Sequence, residues 1–410
     1  MFFKPRFWLV LFAFLAFIMP VWAQDRFVFD GDRKQEALVF KKSRGLIILP
    51  LYINGKGPFN FILDTGVGHL LITDADLKDS LQLKYLRKMK IEGLGEQETL
   101  TAYSTSFLEL RVGSATFKDA SAAILTSDIF NLSGYLGMPI HGLIGYDFFK
   151  SFIVKINYEA NILKIFSTGK ARLYKKGTKF PLLVVDKKPF IDASVETDGG
   201  KKLWVRLLID SGSGHPISLE SYNNQPFDLP KRFVDANLGI GLSGNIRGFY
   251  GRINALNIGK FTLNNVLCSF PLFDDVGAKA EPDTRNGSIG NPLLSKFIVV
   301  FDYQKNRVFL KPLANFKKPF DYDKSGMEIV ADGKNFDRYI VSRVESQSAA
   351  SDFGILVGDE ILTINFKKAS TMSIGEIIKI LSAEAGRTLF IEIVRGDEII
   401  MGILKLKNRI

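Results

Sequence analysis

Phe61-Ile62-Leu63-Asp64-Thr65-Gly66-Val67-Gly68-His69 and Leu207-Leu208-Ile209-Asp210-Ser211-Gly212-Ser213-Gly214-His215 share one pattern: an apolar triplet, Asp-(Thr/Ser)-Gly, then Gly-His. The two Asp residues stand 146 positions apart. Further on, Gly142-Leu143-Ile144-Gly145 returns 145 positions later as Gly287-Ser288-Ile289-Gly290. Each quartet leads into a short helical stretch and a strand, and the strand ends Ile156-Asn157-Tyr158 and Phe301-Asp302-Tyr303 keep the same offset. A single Asp-(Thr/Ser)-Gly is an ordinary turn. Several separate features at nearly one offset read as a duplicated domain.

Between these landmarks both halves read as β structure, in short runs rich in Ile, Val, Phe and Leu broken by Gly and Asn. Two Gly-rich turns correspond as well: Gly93-Leu94-Gly95 and Gly239-Ile240-Gly241-Leu242-Ser243-Gly244, each about thirty residues after its Asp. Hairpins of this kind, facing a site, are candidate flaps.

The chemistry follows from the turns. A carboxylate at a strand end, followed by a hydroxyl residue and Gly, fits a tight turn whose hydroxyl can bond to an opposing loop. Two such turns placed face to face bring their carboxylates within hydrogen-bond reach. Like charges that close share a proton. One carboxylate can then take a proton from water while its partner donates to a scissile carbonyl. Asp64 and Asp210 are the candidate catalytic pair, with Thr65, Gly66, Ser211 and Gly212 supporting the turns. The apparent pKa values belong to the pair, so neither acid nor base is assigned to one member.

These motifs resemble the aspartic peptidases of the retropepsin and pepsin type, in particular two-lobed bacterial retropepsin-like proteins that carry a PDZ domain. The resemblance covers roughly residues 45–315. It implies a mainly β fold of duplicated retropepsin-like lobes, peptide-bond hydrolysis by a water activated between Asp64 and Asp210, and no cofactor or metal. It also implies that Thr65 and Ser211 brace the turns against each other. The flap tips, Gly93-Leu94-Gly95 and Gly241-Leu242-Ser243-Gly244, would close over an extended polypeptide substrate. Val67 and Ser213 depart from the Ala common after the motif in retroviral members, and no Tyr matches the pepsin flap position. His69 and His215 occupy equivalent positions and read as structural or surface residues, pointing away from the carboxylates.

After Leu310 the composition loosens, and residues 316–326 read as a linker. From Met327 the pattern resumes, with Ser348-Ala349-Ala350 and Val357-Gly358-Asp359-Glu360-Ile361-Leu362 before a helix-spaced stretch over 373–382. This resembles a PDZ domain of the bacterial protease-associated kind, over residues 327–410. Such domains add a peptide strand to a sheet edge, and the corresponding loop would be Arg338, Tyr339 and Ile340. Asp337 beside it would repel a terminal carboxylate and Arg338 would attract one, so the pattern does not decide whether a C-terminus is captured.

Composition narrows the alternatives. Across 410 residues, 46% are hydrophobic and 24% charged, as in globular proteins. The 54 Lys and Arg exceed the 43 Asp and Glu, for a formal charge of +11, but they are scattered. No nucleic-acid footprint results. One Cys, Cys268, and three His provide no zinc motif and no internal disulfide. Lys4 and Arg6, the apolar run Phe7 to Met19 and Val21-Trp22-Ala23 read as a signal peptide over residues 1–23. The expectation is an exported protein of the periplasm or cell surface, membrane-tethered only if that segment is retained.

The sequence thus divides into residues 1–23, an N-terminal segment 24–44, a first lobe 45–168, a second lobe 169–315, the linker and the PDZ domain. Residues 24–44 read either as an activation segment or as a first strand. The expected activity is that of an aspartic endopeptidase whose PDZ domain recruits or positions peptide. The alternative is a non-catalytic peptide-binding scaffold on the same fold.

Overall fold

The triplets Phe61-Ile62-Leu63 and Leu207-Leu208-Ile209 are buried and apolar on both strand faces, which suits central strands covered from above and below. A computed structural model describes residues 25–91, 100–168, 177–241, 244–277 and 284–410. In it the strand Lys56–Leu63 pairs in parallel with Gly142–Ile144, which runs antiparallel to Leu70–Ile72, which in turn pairs in parallel with Ala115–Leu125. The strand Lys202–Ile209 repeats this connectivity with Gly287–Ile289, Ile217–Leu219 and Phe261–Pro271. The chain is mainly β, and the two repeats form similar mixed sheets of nine and eight described strands.

A third sheet joins them. Five of its six strands come from the two repeats and one from the N-terminal segment, with Phe152–Asn157 antiparallel to Phe297–Asp302 at its centre. Lys155 lies opposite Val300, its own counterpart at the 145-residue offset. The pseudo-two-fold axis therefore passes through that pair, and the two Asp turns are related by it. One apolar core runs through both repeats and the shared sheet, with Phe148, Phe149, Phe152, Phe297 and Phe301 fully buried.

The N-terminal segment contributes strands. Gln35–Val39 pairs with Ile162–Phe166 at an edge of the shared sheet, and Val28–Phe29 pairs with Thr116 and Ala115. Phe27 is buried against Phe117, Phe148 and Phe152, worth about 2 kcal/mol by apolar area. Removing this segment would expose the core. Residues 1–23 lie outside the described residues. Among the described residues, no helix is long and apolar enough to cross a membrane.

The stretch expected as a linker is packed. Phe320 and Tyr322 are buried in the main core, and the Lys296 ammonium donates to the carbonyls of Asn315 and Lys318 while lying over the Phe320 ring. The charged and Pro residues that suggested a loop occupy the outer side of a segment whose aromatic residues face in.

From Met327 onward a separate core forms under a sheet ordered Met327–Asp332, Arg338–Val344, Glu360–Ile364, Thr388–Arg395 and Glu398–Lys405. The helix Ile374–Leu381 covers it with Ile374, Ile377 and Leu381, and a reciprocal Ser373–Glu376 cap starts that helix.

Candidate active site

Each Asp closes a strand and is held by its own turn. The Gly66 amide donates to Asp64 Oδ1 at 2.7 Å, and the Gly212 amide to Asp210 Oδ1 at 2.9 Å. Behind each turn lies the Gly of the later quartet. A Cβ on Gly145 would strike the carbonyls of Asp64 and Val67, and one on Gly290 those of Ser213 and His215. Only Gly lets that strand end pass so close beneath the carboxylate.

The two turns are locked together by their hydroxyl residues. Thr65 Oγ1 donates to the Ile209 carbonyl at 2.6 Å and accepts from the Ser211 amide at 2.9 Å. Ser211 Oγ donates to the Leu63 carbonyl at 2.8 Å and accepts from the Thr65 amide at 3.0 Å. Four buried hydrogen bonds therefore cross the pseudo-two-fold axis, and both hydroxyls are fully enclosed. The Asp64 and Asp210 carboxyl groups lie within hydrogen-bond reach of each other. A Cβ at Gly66 would sit 3.1 Å from Asp64 Oδ1 and 3.3 Å from Asp210 Oδ1.

Burial first, then the charge of Asp210 and a hydrogen bond to it, pushes the Asp64 carboxyl well above the usual carboxylate range; the amides of Gly66 and Gly212 oppose the shift. Asp64 is 7% exposed. Two buried carboxyl groups this close cannot both ionise cheaply, so the second ionisation is pushed above the ordinary carboxylate range. They stand at the floor of a cleft of about 1780 Å³.

Residues 49–148 match the family model described as aspartyl protease. The matched stretch carries Asp64-Thr65-Gly66 and Gly142-Leu143-Ile144-Gly145. No curated protein matches the chain. The second repeat lies outside the matched residues, yet it reproduces the strand pairing and supplies Asp210.

The two hairpins expected as flaps are described to different extents. In the second repeat, Phe233–Gly241 and Gly244–Ile258 form a long hairpin, and Asn237 to Gly241 with Asn245 and Ile246 line the cleft. Gly241 pairs with Gly244, while Leu242 and Ser243 lie outside the described residues. In the first repeat, Arg87–Ile91 pairs with Leu100 to Ser104. Gly93, Leu94 and Gly95 also lie outside the described residues.

His215 does point into the cleft wall, and its ring is fully engaged. Nε2 donates to the Leu238 carbonyl at 2.6 Å, and Nδ1 accepts from the Tyr250 hydroxyl at 2.5 Å. This is the arrangement of the neutral Nε2–H tautomer, the form that burial favours. Burial lowers its pKa against the pull of the Leu238 carbonyl and Asp210. His215 thus pins both strands of the overhanging hairpin to the Asp210 turn. His69 stands at the surface instead, between Asp147 at 3.6 Å and the Lys187 ammonium at 2.5 Å. Tyr250, which sequence reasoning missed, packs edge-on against Tyr322. Its only sequence signal was its place on the hairpin arm after the Gly-rich turn.

The C-terminal module supplies another wall of the cleft through Met327 to Val330, Ser342, Arg343 and Glu345. Its outer strand, Met327–Asp332, leans on the first repeat. Arg44 Nη2 donates to the Ile329 carbonyl at 2.6 Å while the guanidinium lies 4.1 Å over the Tyr135 ring. Gly134 and Gly137 abut Ala331 and Ile374, so the helix Leu132–Leu136 sits beside that strand and the start of the module's helix. Glu328 reaches the Asn237 side chain of the overhanging hairpin, and burial raises its carboxyl above the usual range despite Arg343 and Arg44.

Arg338, Tyr339 and Ile340 do not form an open edge. They belong to the strand Arg338–Val344, which is covered on one side by Met327–Asp332 and on the other by Glu360–Ile364. Arg338 bonds to Glu360 and Asp332, and the buried Tyr339 hydroxyl donates to the Met372 carbonyl at 2.5 Å. Met327–Asp332 pairs with all three residues, so no strand can add on that side, and Glu360 pairs with Ile340 on the other.

Proposed function

We propose that the chain is an aspartic endopeptidase that hydrolyses extended polypeptides with a water activated between Asp64 and Asp210. The observation that carries this reading is the pair of carboxyl groups within hydrogen-bond reach on a cross-braced floor. The shared proton gives one acid and one base in the same state. The ionised member takes a proton from water as the oxygen attacks the carbonyl carbon, and the protonated member donates to the carbonyl oxygen. The resulting diol collapses as the C–N bond breaks, and the leaving amine takes up a proton. The bilobal acid-protease fold is part of the proposal, supported by the repeated pairing and the pseudo-two-fold at Lys155 and Val300.

The C-terminal module fits a PDZ-type sheet and helix, and export through residues 1–23 completes the reading. With its outer strand set against Arg44 and Tyr135, the module acts as a fixed wall that orients peptide in the cleft.

The test is cleavage of an unbiased peptide library at pH 4 to 8 by the chain and by Asp64→Asn. Cleavage is expected in the acid half of that range and absent from the variant. Because burial and Asp210 raise the Asp64 pKa, the singly protonated pair persists above the ordinary carboxylate range, and the rate falls as pH rises through that value. A rate still climbing at pH 8, or a fully active Asp64→Asn, contradicts the proposal.

A further inference from the structure

The two repeats present opposite chemistry to the cleft at equivalent positions. In the first repeat Leu143 pairs with Leu71, and Leu71 with Ala123. In the second the same three ladder positions hold Ser288, Ser218 and Ser269. The equivalence is fixed by the backbone: Leu143 lies beside Ile62 as Ser288 lies beside Leu208, each two residues before its Asp. Leu71, Leu143, Val67 and Phe130 line one part of the cleft and belong to one apolar cluster. Ser218, Ser269 and Ser288 line the other, and all three are buried.

One step further the contrast grows. The Thr73 amide donates to the His141 carbonyl, and the Glu220 amide to that of Asn286, so Thr73 and Glu220 are counterparts. Glu220 is 3% exposed; its Oε1 accepts from Arg285 Nη2 at 2.5 Å, while Oε2 and Arg285 Nε have no partner among the described residues. Both residues line the cleft behind the serines. Ser269 Oγ reaches the Ile217 carbonyl only at 3.4 Å, and the hydroxyls of Ser218 and Ser288 have no side-chain partner among the described residues.

We propose that the cleft distinguishes the two sides of the scissile bond by polarity. Positions related by an axis through the dyad flank the reacting carbonyl on opposite sides. The pocket of Leu71, Leu143 and Phe130 takes an apolar side chain. The pocket of Ser218, Ser269 and Ser288, backed by the Glu220–Arg285 pair, takes an uncharged hydrogen-bonding side chain of the Gln, Asn, Ser or Thr class. The pair is neutral overall, so the second pocket carries no net charge to select Lys or Glu. An apolar group there would leave buried hydroxyls unpaired, and sites of that kind reject the analogue that lacks the hydrogen bond.

This inference rests on the peptidase reading for the word scissile, and two formats separate the fates of the two. One peptide library has an ordinary central amide and is scored by cleavage. The other has a reduced, uncleavable central bond and is scored by capture on the full chain. Both should enrich an apolar residue on one side of the central bond and a polar uncharged one on the other, by at least about tenfold. Ser288→Leu, which installs the first repeat's residue, should shift the polar side toward apolar residues by a similar factor. Ser288→Ala, with no added bulk, should relax that preference. The reciprocal Leu143→Ser should open the apolar side to polar residues. Asymmetric capture without cleavage would sink the peptidase reading and leave the pockets standing. Apolar enrichment on both sides, no enrichment in either format, or a preference unmoved in folded Ser288→Ala overturns the proposal.

Discussion

Where the two repeats touch, they are the same; one residue away, they differ. Thr65 and Ser211 exchange mirror-image hydrogen bonds, and Gly66 and Gly212 hold their carboxyl groups alike. Beneath the turns the symmetry breaks. Asn291 Nδ2 donates to the Ser211 carbonyl at 2.5 Å, and its Oδ1 accepts from the Tyr158 hydroxyl at 2.8 Å. Its counterpart in the first repeat is Tyr146, and the counterpart of Tyr158 is Tyr303, whose buried hydroxyl has no partner among the described residues. Above the turns, His215 pins a hairpin over the cleft while His69 sits at the surface. A duplicated fold keeps its symmetry where two halves must meet at one proton, and it is free to diverge where each half is braced by its own side chains.

The cross-brace is the place to break the comparison hardest. Thr65→Val keeps the shape but leaves the Ile209 carbonyl and Ser211 amide buried and unpaired, at about 1–3 kcal/mol each. Ser211→Ala strands the Leu63 carbonyl and Thr65 amide in the same way. Both variants should melt at lower temperature by similar amounts and lose on the order of a hundredfold in kcat as the carboxyl groups drift apart. A large effect at one position and none at the other would show that the brace is not symmetric.

The histidines should behave as opposites. His215→Ala frees both strands of the overhanging hairpin and should raise KM for peptide by about fivefold to tenfold, since tenfold corresponds to roughly one lost hydrogen bond. His69→Ala should change KM by less than about twofold. Burial depresses the His215 pKa in the closed form. The latch is therefore complete above the ordinary histidine value of about 6.5 and is lost as pH falls through the depressed value. The KM of the wild type should rise toward low pH relative to His215→Ala, which lacks the titrating group. Parallel pH profiles would remove His215 from the latch.

The tyrosines give the smallest and sharpest difference. Tyr158→Phe removes the donor to Asn291 and should cost about 1–2 kcal/mol. Tyr303→Phe removes a buried hydroxyl with no partner among the described residues, and it should be neutral or slightly stabilising. Equal losses in chemical denaturation would mean that Tyr303 holds a partner after all.

The parts of the molecule legible in sequence are those in which local pattern and function coincide. Asp64-Thr65-Gly66 and Asp210-Ser211-Gly212 specify a turn, a hydroxyl and a carboxylate in adjacent residues, and the Gly quartets mark the strands passing beneath them. What escaped depends on partners far away in the chain. Arg338 to Ile340 look like an edge locally, but Met327–Asp332 covers them. Phe320 and Tyr322 sit among Lys, Pro and Asp, and only the distant core shows which way they face. His69 and His215 have nearly identical neighbours in sequence, and the hairpin arm carrying Tyr250 decides between surface and latch. The polarity contrast at Leu71 and Ser218 needed the strand register before the two could be recognised as counterparts.

The claim beneath all of this is that two repeats contribute one carboxyl group each to a single catalytic unit. It is tested most directly by kcat/KM for the wild type, Asp64→Asn, Asp210→Asn and the double variant on one cleavable peptide. If one proton is shared, each single variant loses at least about a thousandfold and the double variant is no more than a few-fold worse, because residues acting as a unit are non-additive. Losses that multiply in the double variant, or near-full activity in either single one, would contradict a shared-proton dyad.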